Sequence, residues 1–536
     1  MTWLFGLNIA ALALPAGLLV ILAPEIMGRG LAGLGLPLAL VGGLLLMLCL
    51  GAHPWGARAP TPTTAVGLRF DAPRLRRLIG ATSVLVCLLL LWGELAALRL
   101  VAVWWGWRPS WTLIGFGLVA IAVVAWTRER WLVRLRAGAF LVTGVGLCLP
   151  VALIVARTDP RPLAVWGEVA SRATFTFQGE TTWRPLPDPW LPSRPLGIEF
   201  RQAQRVTSHE RGRLRLVLSV GGRSQTVERT AQPDGDVAFL KGDSLVLLDP
   251  VRLTFEAGRE IPGSPPSGGV WGDGEGRRLR AEAGAVAALL LGALGLPPLL
   301  FVLGSAPSPR IASRALLLGV VFLSFLLFAL QLWAIYAARF APQLYLGGVR
   351  WGEVVSLPSL VGMGPEGRGL TLLAQVALVS AFAGTLAGTL QAASAAARGV
   401  GGARWPKLSV WVVGCIALAL GSLWPLHPYR LALAAFTLAA STLTPALVLT
   451  AWWSRLTPAG LGAGISTGLI LFSVTLAAAH VTTGDQPIAW DVMIRAPALW
   501  LAPLAGLVMA VLSLPRPRGL SDHFSLLHRR LSRDGV

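Results

Sequence analysis

The sequence predicts a polytopic α-helical membrane protein of about twelve transmembrane helices, with one small antiparallel β domain set into its middle. Three observations predict it. Of 536 residues, 54% are hydrophobic and 13% are charged, against roughly a quarter charged in an ordinary soluble domain. Apolar runs of about twenty residues, long enough to cross a ~30 Å hydrocarbon layer, recur along most of the chain. Between them lies one polar stretch, Arg157 to about Ala283, whose short runs alternate with a period of two. The pattern excludes a cytosolic globule, a disordered chain and a disulfide scaffold.

The apolar runs place helices near 5–26, 31–52, 78–104, 111–126, 137–156, 284–304, 312–339, 370–397, 408–424, 430–453, 460–481 and 497–514. Basic residues gather in every second loop. Arg58, Arg69, Arg74, Arg76 and Arg77 follow the second helix, and Arg128, Arg130, Arg134 and Arg136 the fourth. Arg310 and Arg314 follow the sixth, Arg398, Arg404 and Lys407 the eighth, and Arg455 the tenth, with Arg516, Arg518, Arg529, Arg530 and Arg533 in the tail. The positive-inside rule then puts both termini in the cytoplasm. The formal charge of +20, from 46 basic and 26 acidic residues, is spread over these loops. It points to a lipid bilayer as the partner and not to nucleic acid. The stretch from Met1 to Met27 has no basic n-region and no A-x-A site before Arg29, so it is expected to remain as a helix. Cys49, Cys87, Cys148 and Cys415 all fall in apolar runs, without the spacing of disulfide partners or metal ligands.

In the polar stretch, Ala173-Thr-Phe-Thr-Phe177, Leu214-Arg-Leu-Val-Leu-Ser-Val220 and Val251-Arg-Leu-Thr-Phe255 read as half-buried strands. Gly221-Gly222 is a hairpin signal. The stretch follows the fifth helix and is expected outside the cytoplasm, because large domains translocate largely regardless of charge. It holds no paired carboxylates, nucleophile elbow, Cys/His cluster or phosphate-cradling loop, and no enzyme chemistry is expected anywhere in the chain. Arg211, Arg213 and Arg215 read as a solvated strand face, or as a surface for an acidic protein partner.

The second half of the chain carries a series of phrases. Leu433-Ala-Ala-Phe-Thr-Leu-Ala-Ala-Ser-Thr-Leu-Thr-Pro-Ala-Leu-Val-Leu449 leads into Trp452-Trp-Ser-Arg-Leu-Thr-Pro-Ala-Gly460, then Gly464 and Gly468. Gly295-Leu-Pro297 precedes Pro309-Arg310 and Arg314. Leu357-Pro358 and Gly364-Pro365 precede Ala381-Phe-Ala-Gly-Thr385, and Gly6-Leu-Asn-Ile-Ala10 opens the first helix. In order and spacing these resemble the sodium:solute symporter family, especially its acetate and monocarboxylate branch, over 1–156 and 284–515. The resemblance implies a LeuT-like core of two inverted five-helix repeats, with sites near the midplane at interrupted helices. It divides the chain into 1–156 (first repeat), the β domain at 157–283, 284–456 (second repeat), two further helices at 457–515 and a basic tail at 516–536. Pro15 and Gly17 interrupt the first helix and Pro297-Pro298 the sixth, corresponding places where proline removes an amide donor and frees a carbonyl.

The resemblance also implies a cation site formed by carbonyls of the first helix, at Ala10 and Leu14, and by Ala381, Gly384 and Thr385 of the eighth. Thr385 keeps a hydroxyl, whereas Gly384 lacks one. Leu12 and Pro15 stand where the monocarboxylate branch carries Asp and Ser. A hard cation needs several oxygens, so sodium is expected to bind poorly, and coupling to protons or loss of transport both stay open. The family's extra N-terminal helix is not expected here, and its fifth-to-sixth loop is much shorter than this β domain. No other cofactor is implied.

Glu94 is the intramembrane carboxylate most in need of a reason. It is either a proton-coupling or substrate-facing group, or a structural partner for donors on a neighbouring helix. Arg99 lies about 140° round the same helix, so an intrahelical pair is poor. It either attracts a carboxylate or snorkels outward. Thr437 and Ser441 either line the cavity or bond back to their own helix. The Trp residues at helix ends read as an aromatic belt. Two functions are implied: a secondary active transporter of a small organic solute, for example acetate, or a transport-inactive membrane scaffold whose β domain holds a protein outside the cytoplasm. Arg far outnumbers Lys, as in a GC-rich genome, and the expected location is the plasma (inner) membrane of a prokaryote.

Overall fold

The structure is a computed structural model that describes residues 1–50, 61–67, 69–183, 196–220, 223–249, 251–265, 267, 276–346, 354–401, 406–424, 426–481, 493–494 and 496–514. Each of the twelve apolar runs is helical. The first is split into α1 (Thr2–Ala13) and α2 (Ala16–Arg29), succeeded by α3 (Gly35–Leu50) and a short α4 (Pro62–Gly67). Then come α5 (Pro73–Trp104), α6 (Pro109–Trp126), α7 (Glu129–Arg157) and a short α8 (Pro162–Ala170). After the strands, the sixth run is split into α9 (Gly276–Gly295) and α10 (Pro297–Gly304), succeeded by α11 (Pro309–Phe340), the one-turn α12 (Leu357–Leu360) and α13 (Gly364–Gly401). The chain continues through α14 (Pro406–Leu423), α15 (Pro428–Leu438), a π turn (Ala439–Leu443), α16 (Thr444–Trp452), α17 (Pro458–Val481) and α18 (Pro497–Val511).

Proline decides where most of these helices start. Pro73, Pro109, Pro309, Pro428 and Pro497 stand in first turns, where the missing N–H costs nothing. Inside the bundle α13 packs along α5 and α7, α1 along α11 and α7, and α9 along α3. Arg69, ahead of α5, closes the far end of α16. Its guanidinium donates to the carbonyls of Thr450 (2.6 Å), Trp453 (2.7 Å) and Ser454 (2.8 Å), which are orphaned there.

The strands form two four-stranded antiparallel sheets, numbered β1 (Thr181–Trp183), β2 (Leu196–Glu199), β3 (Gln204–Ser208), β4 (Gly212–Val220), β5 (Arg223–Ala231), β6 (Gly235–Phe239), β7 (Ser244–Leu247) and β8 (Leu253–Phe255). One sheet runs β1-β8-β3-β6 and the other β2-β7-β4-β5. Phe200, at the end of β2, stacks on Phe239 of β6 with ring centroids 4.2 Å apart, which joins the two sheets through an apolar core. Phe175 sits 5.1 Å from Tyr345, beyond α11, and seats the β domain on the helices.

Three expectations need correcting. Ala173–Phe177 is not a full strand: its pairing is limited to one bridge, Thr176 opposite Glu260, and to backbone bonds of Phe175 and Phe177 with the short turn segment 258–261. The sixth helical run starts at Gly276 rather than near 284, since its first turn is charged and falls outside the apolar window. Arg136 is not in a loop but inside α7, 1% exposed. The β4–β5 pairing runs to Val220 opposite Arg223. Gly221 and Gly222 lie outside the described residues, as do Arg58, Arg404 and the basic tail 516–536.

Helix crossings are set by glycines against backbone. A Cβ on Gly292 of α9 would stand 2.3 Å from the Phe436 carbonyl of α15, whereas one on Gly115 of α6 would meet nothing within 4 Å. Gly292→Ala is therefore expected to destabilise by about 1–3 kcal/mol, with Gly115→Ala neutral, read as thermal unfolding of the purified protein in detergent.

Candidate functional site

The site begins at Pro15. Having no N–H, it cannot serve the Ala11 carbonyl one turn back, and the helix ends as Leu14 leaves helical geometry at φ −116°, ψ 88°. Pro15 then starts the next helix by accepting from the Leu18 and Leu19 amides, each at 2.9 Å. The Ala16 and Gly17 amides at the start of α2 are left pointing out of the helix end, in an interior with no water to satisfy them.

Glu94 of α5 supplies the acceptor. The Gly17 N–H donates to Glu94 Oε2 at 3.3 Å, and the Ala16 amide faces the same carboxyl. A carboxylate suits the positive end of a helix dipole. Gly17 is tightly placed: a Cβ there would lie 3.0 Å from the Gly93 carbonyl, so α2 begins directly on the backbone of α5. From α13, Thr385 Oγ1 lies 3.0 Å from Glu94 Oε2 and also 3.0 Å from the Ala381 carbonyl. Its one proton serves one of these acceptors at a time. Glu94 is 1% exposed, and its Oε1 has no partner among the described residues.

Beside this constellation is a small cavity lined by Ala11, Leu14, Thr143, Ser380, Ala381, Gly384 and Thr385 among others, with room for about one water molecule. Of the residues singled out in the sequence, Leu14, Ala381, Gly384 and Thr385 line it. Pro15 makes the break, and Glu94 closes on Thr385. Ala10 is buried in the last turn of α1, one residue from the lining Ala11. The others are not brought there. Arg99 is half-buried on α5, forms no ion pair with Glu94, and its Nε is unpartnered among the described residues. Pro297 opens α10 after the second break at Leu296. Thr437 is buried in α15, and Ser441 in the π turn bonds back to the Leu438 carbonyl at 3.2 Å.

Three polar residues escaped the sequence reading. Asn8 of α1, fully buried, donates through Nδ2 to the Leu4 carbonyl (2.6 Å) and to the Val133 carbonyl of α7 (2.9 Å). Arg136 of α7 donates through Nη1 to Gln391 Oε1 of α13 at 2.8 Å, and forms no ion pair among the described residues. The usable signal was helical spacing. Leu132, Arg136, Phe140 and Thr143 share one buried face of α7, so Arg136 belongs to that face and not with the exposed Arg130 and Arg134 of the same helix. At the other end of α1–α2, Arg29 pairs with Glu25 (2.5 Å), approaches Glu282 of α9 (3.6 Å) and lies over the Tyr429 ring of α15 (6.0 Å).

No protein-family profile and no curated protein matches the sequence. The solved structure of a Na+-coupled sialic acid symporter, in a substrate-bound outward-open state with a novel Na+ site, matches with a TM-score of 0.56 at 13% identity, over 95% of this chain and 90% of that one. The protein therefore has the LeuT-like fold of that symporter, with a broken helix in each half, α1–α2 and α9–α10, and the polar constellation at the first break. It is a multi-pass membrane protein.

Arg136 and Gln391 make a prediction about sign. Gln391→Leu strands a buried cation and is expected to cost about 2 kcal/mol, whereas Arg136→Met should fall within about 1 kcal/mol of wild type, since it removes the charge together with its desolvation cost. Thermal unfolding of both variants and of the double mutant checks this; equal losses in the two single mutants would contradict it.

Proposed function

We propose that the protein is a secondary active transporter that moves a small organic solute, of the monocarboxylate type, across a prokaryotic plasma membrane by alternating access driven by a cation. In this reading both termini are cytoplasmic and the β domain is outside. The observation that carries it is the break at Leu14–Pro15, filled by a buried carboxylate on α5 and a hydroxyl on α13. Charge inside a membrane is costly. A helix packed only for structure closes with apolar contacts, whereas this one stops, exposes two amides and is met by an ionisable group. The second break at Leu296 in the corresponding helix of the other half supports the same reading, because paired interruptions are where such carriers place their sites.

One observation favours a second reading, a transport-inactive membrane subunit whose β domain binds a protein partner. Gly384 brings no side-chain oxygen to the cavity, and Gly292 packs directly on the Phe436 backbone, so the bundle is tight where a carrier must open.

Uptake decides between them. Purified protein in proteoliposomes, given labelled acetate or pyruvate with sodium and proton gradients imposed separately, is expected to accumulate solute above empty liposomes. Thr385→Ala should slow the initial rate by about tenfold, equivalent to ~1.4 kcal/mol. No accumulation from folded, correctly oriented protein, together with a stoichiometric protein co-purifying from native membranes, would establish the subunit instead.

A further inference from the structure

We propose that Glu94 is an exchangeable proton site, and that a proton on this carboxyl takes the part in coupling that sodium-driven carriers give to a metal ion. Its place in transport rests on the carrier reading above; the proton site itself does not.

The geometry of the two carboxyl oxygens is the starting point. Oε2 is occupied by donors, the Gly17 amide at 3.3 Å and the Thr385 hydroxyl at 3.0 Å. Donors pointing at an oxygen fill the lone pairs a cation would need, so Oε2 is a poor metal ligand. Oε1 is free among the described residues and is the atom left to take a proton. Sodium at the neighbouring cavity would need several oxygens. Gly384 brings none from its side chain, the Thr385 and Thr143 hydroxyls are turned to acceptors of their own, and the space beside the Ser380 hydroxyl holds about one water.

The Thr385 hydroxyl is the second part. It lies 3.0 Å from Glu94 Oε2 and 3.0 Å from the Ala381 carbonyl, with one proton to give. With Glu94 ionised it donates to the carboxylate and ties α13 to α5 and the start of α2. With Glu94 protonated that donation weakens, and the hydroxyl turns back to its own helix. Protonation from solvent thus changes one hydrogen bond linking three helices at the break.

The charges around the site leave this role to Glu94. On α2 the charged groups, Glu25 and Arg29, lie eight and twelve residues beyond Gly17, about 12 and 18 Å along the helix. On α13, Glu366 and Arg368 stand near one end and Arg398 near the other; Lys407 is in the first turn of α14, and Tyr429 and Arg430 in the first turn of α15. The segments α4, α6, α10 and the π turn carry no charged residue, and α17 has only His480, next to its last residue. Cys87 and Arg99 share α5, Cys415 is on α14, and Arg136 of α7 is turned to Gln391. Glu94 has no ion pair among the described residues, so its charge is free to change.

The test is infrared difference spectroscopy of the whole protein in lipid nanodiscs, titrated between about pH 5 and pH 9, with Glu94→Gln and the conservative Glu94→Asp alongside. The expected result is a protonated-carboxyl C=O band that grows as pH falls, is absent from Glu94→Gln and persists, displaced, in Glu94→Asp. Gel filtration of each variant separates loss of the band from loss of the fold. A wild-type spectrum with no titrating band that Glu94→Gln removes overturns the proposal. So does sodium that abolishes the band at fixed pH, which assigns the site to the metal. A titrating band in a protein that moves no solute leaves the proton site standing and counts against the carrier reading alone.

Discussion

Everything in the bundle depends on a constraint the bilayer imposes: no water is available to satisfy a backbone that leaves its helix. Pro15 forces such a departure in the first helix. The course of the chain through α1–α2 is a response to it, from the restart on the Pro15 carbonyl to the Glu94 carboxyl brought against the Gly17 amide. The response costs the desolvation of an ionisable group, which explains why Gly17 and Gly93 meet at backbone contact. A Cβ on Gly17 would crowd the Gly93 carbonyl at 3.0 Å, beside the amide that justifies the carboxyl's burial.

The second break shows that a charge is not the sole solution. At Leu296 the chain restarts with two prolines, and the stretch of backbone before it is met by hydroxyl and glycine contacts. Thr444 donates to the Leu291 carbonyl at 2.8 Å, and Gly295 allows Thr444 and the Ala439 carbonyl to approach where a Cβ would collide. The neighbouring π turn supplies the irregular surface that fits there, as such turns do near functional sites. The two halves share a break and differ in what fills it, so the ionisable group in the first half is a property of this site and not a general cost of the fold.

Much of the fold was legible because hydropathy and proline punctuation act locally. All twelve helical runs and both breaks can be read from apolar length and from Pro15, Pro297 and Pro298. The features that stayed hidden needed either an interruption of that pattern or a partner far along the chain. The charged start of α9 does not look apolar, and Ala173–Phe177 alternates correctly but has only the short turn segment around Glu260 to pair with. Glu94 stood out as a charge in an apolar run, yet its partners are 77 and 291 residues away. Arg136 looks solvated because it follows a run of basic residues, and Asn8 is a lone polar residue in an apolar helix. Only the tertiary contacts with Val133 and Gln391 show what each is bonded to.

Those two residues give the break its mechanical setting. One end of α1–α2 is held to α7 by Asn8 and accompanied by the buried Arg136–Gln391 bond between α7 and α13. The other end is held to α9 and α15 through Arg29, whose side chain is 36% exposed. The carboxylates it meets, Glu25 and Glu282, are 18% and 6% exposed, so this contact is largely shielded from solvent. Asn8 and Arg29 thus act as a latch at each end of the element. For a helix hinged at Leu14–Pro15, a change of charge at Glu94 acts on the element between the latches. Its effect on which latch yields equals the difference in proton affinity between the two arrangements, and no larger. That difference is set by how far the Gly17 amide and the Thr385 hydroxyl stay on the carboxyl when either end swings away.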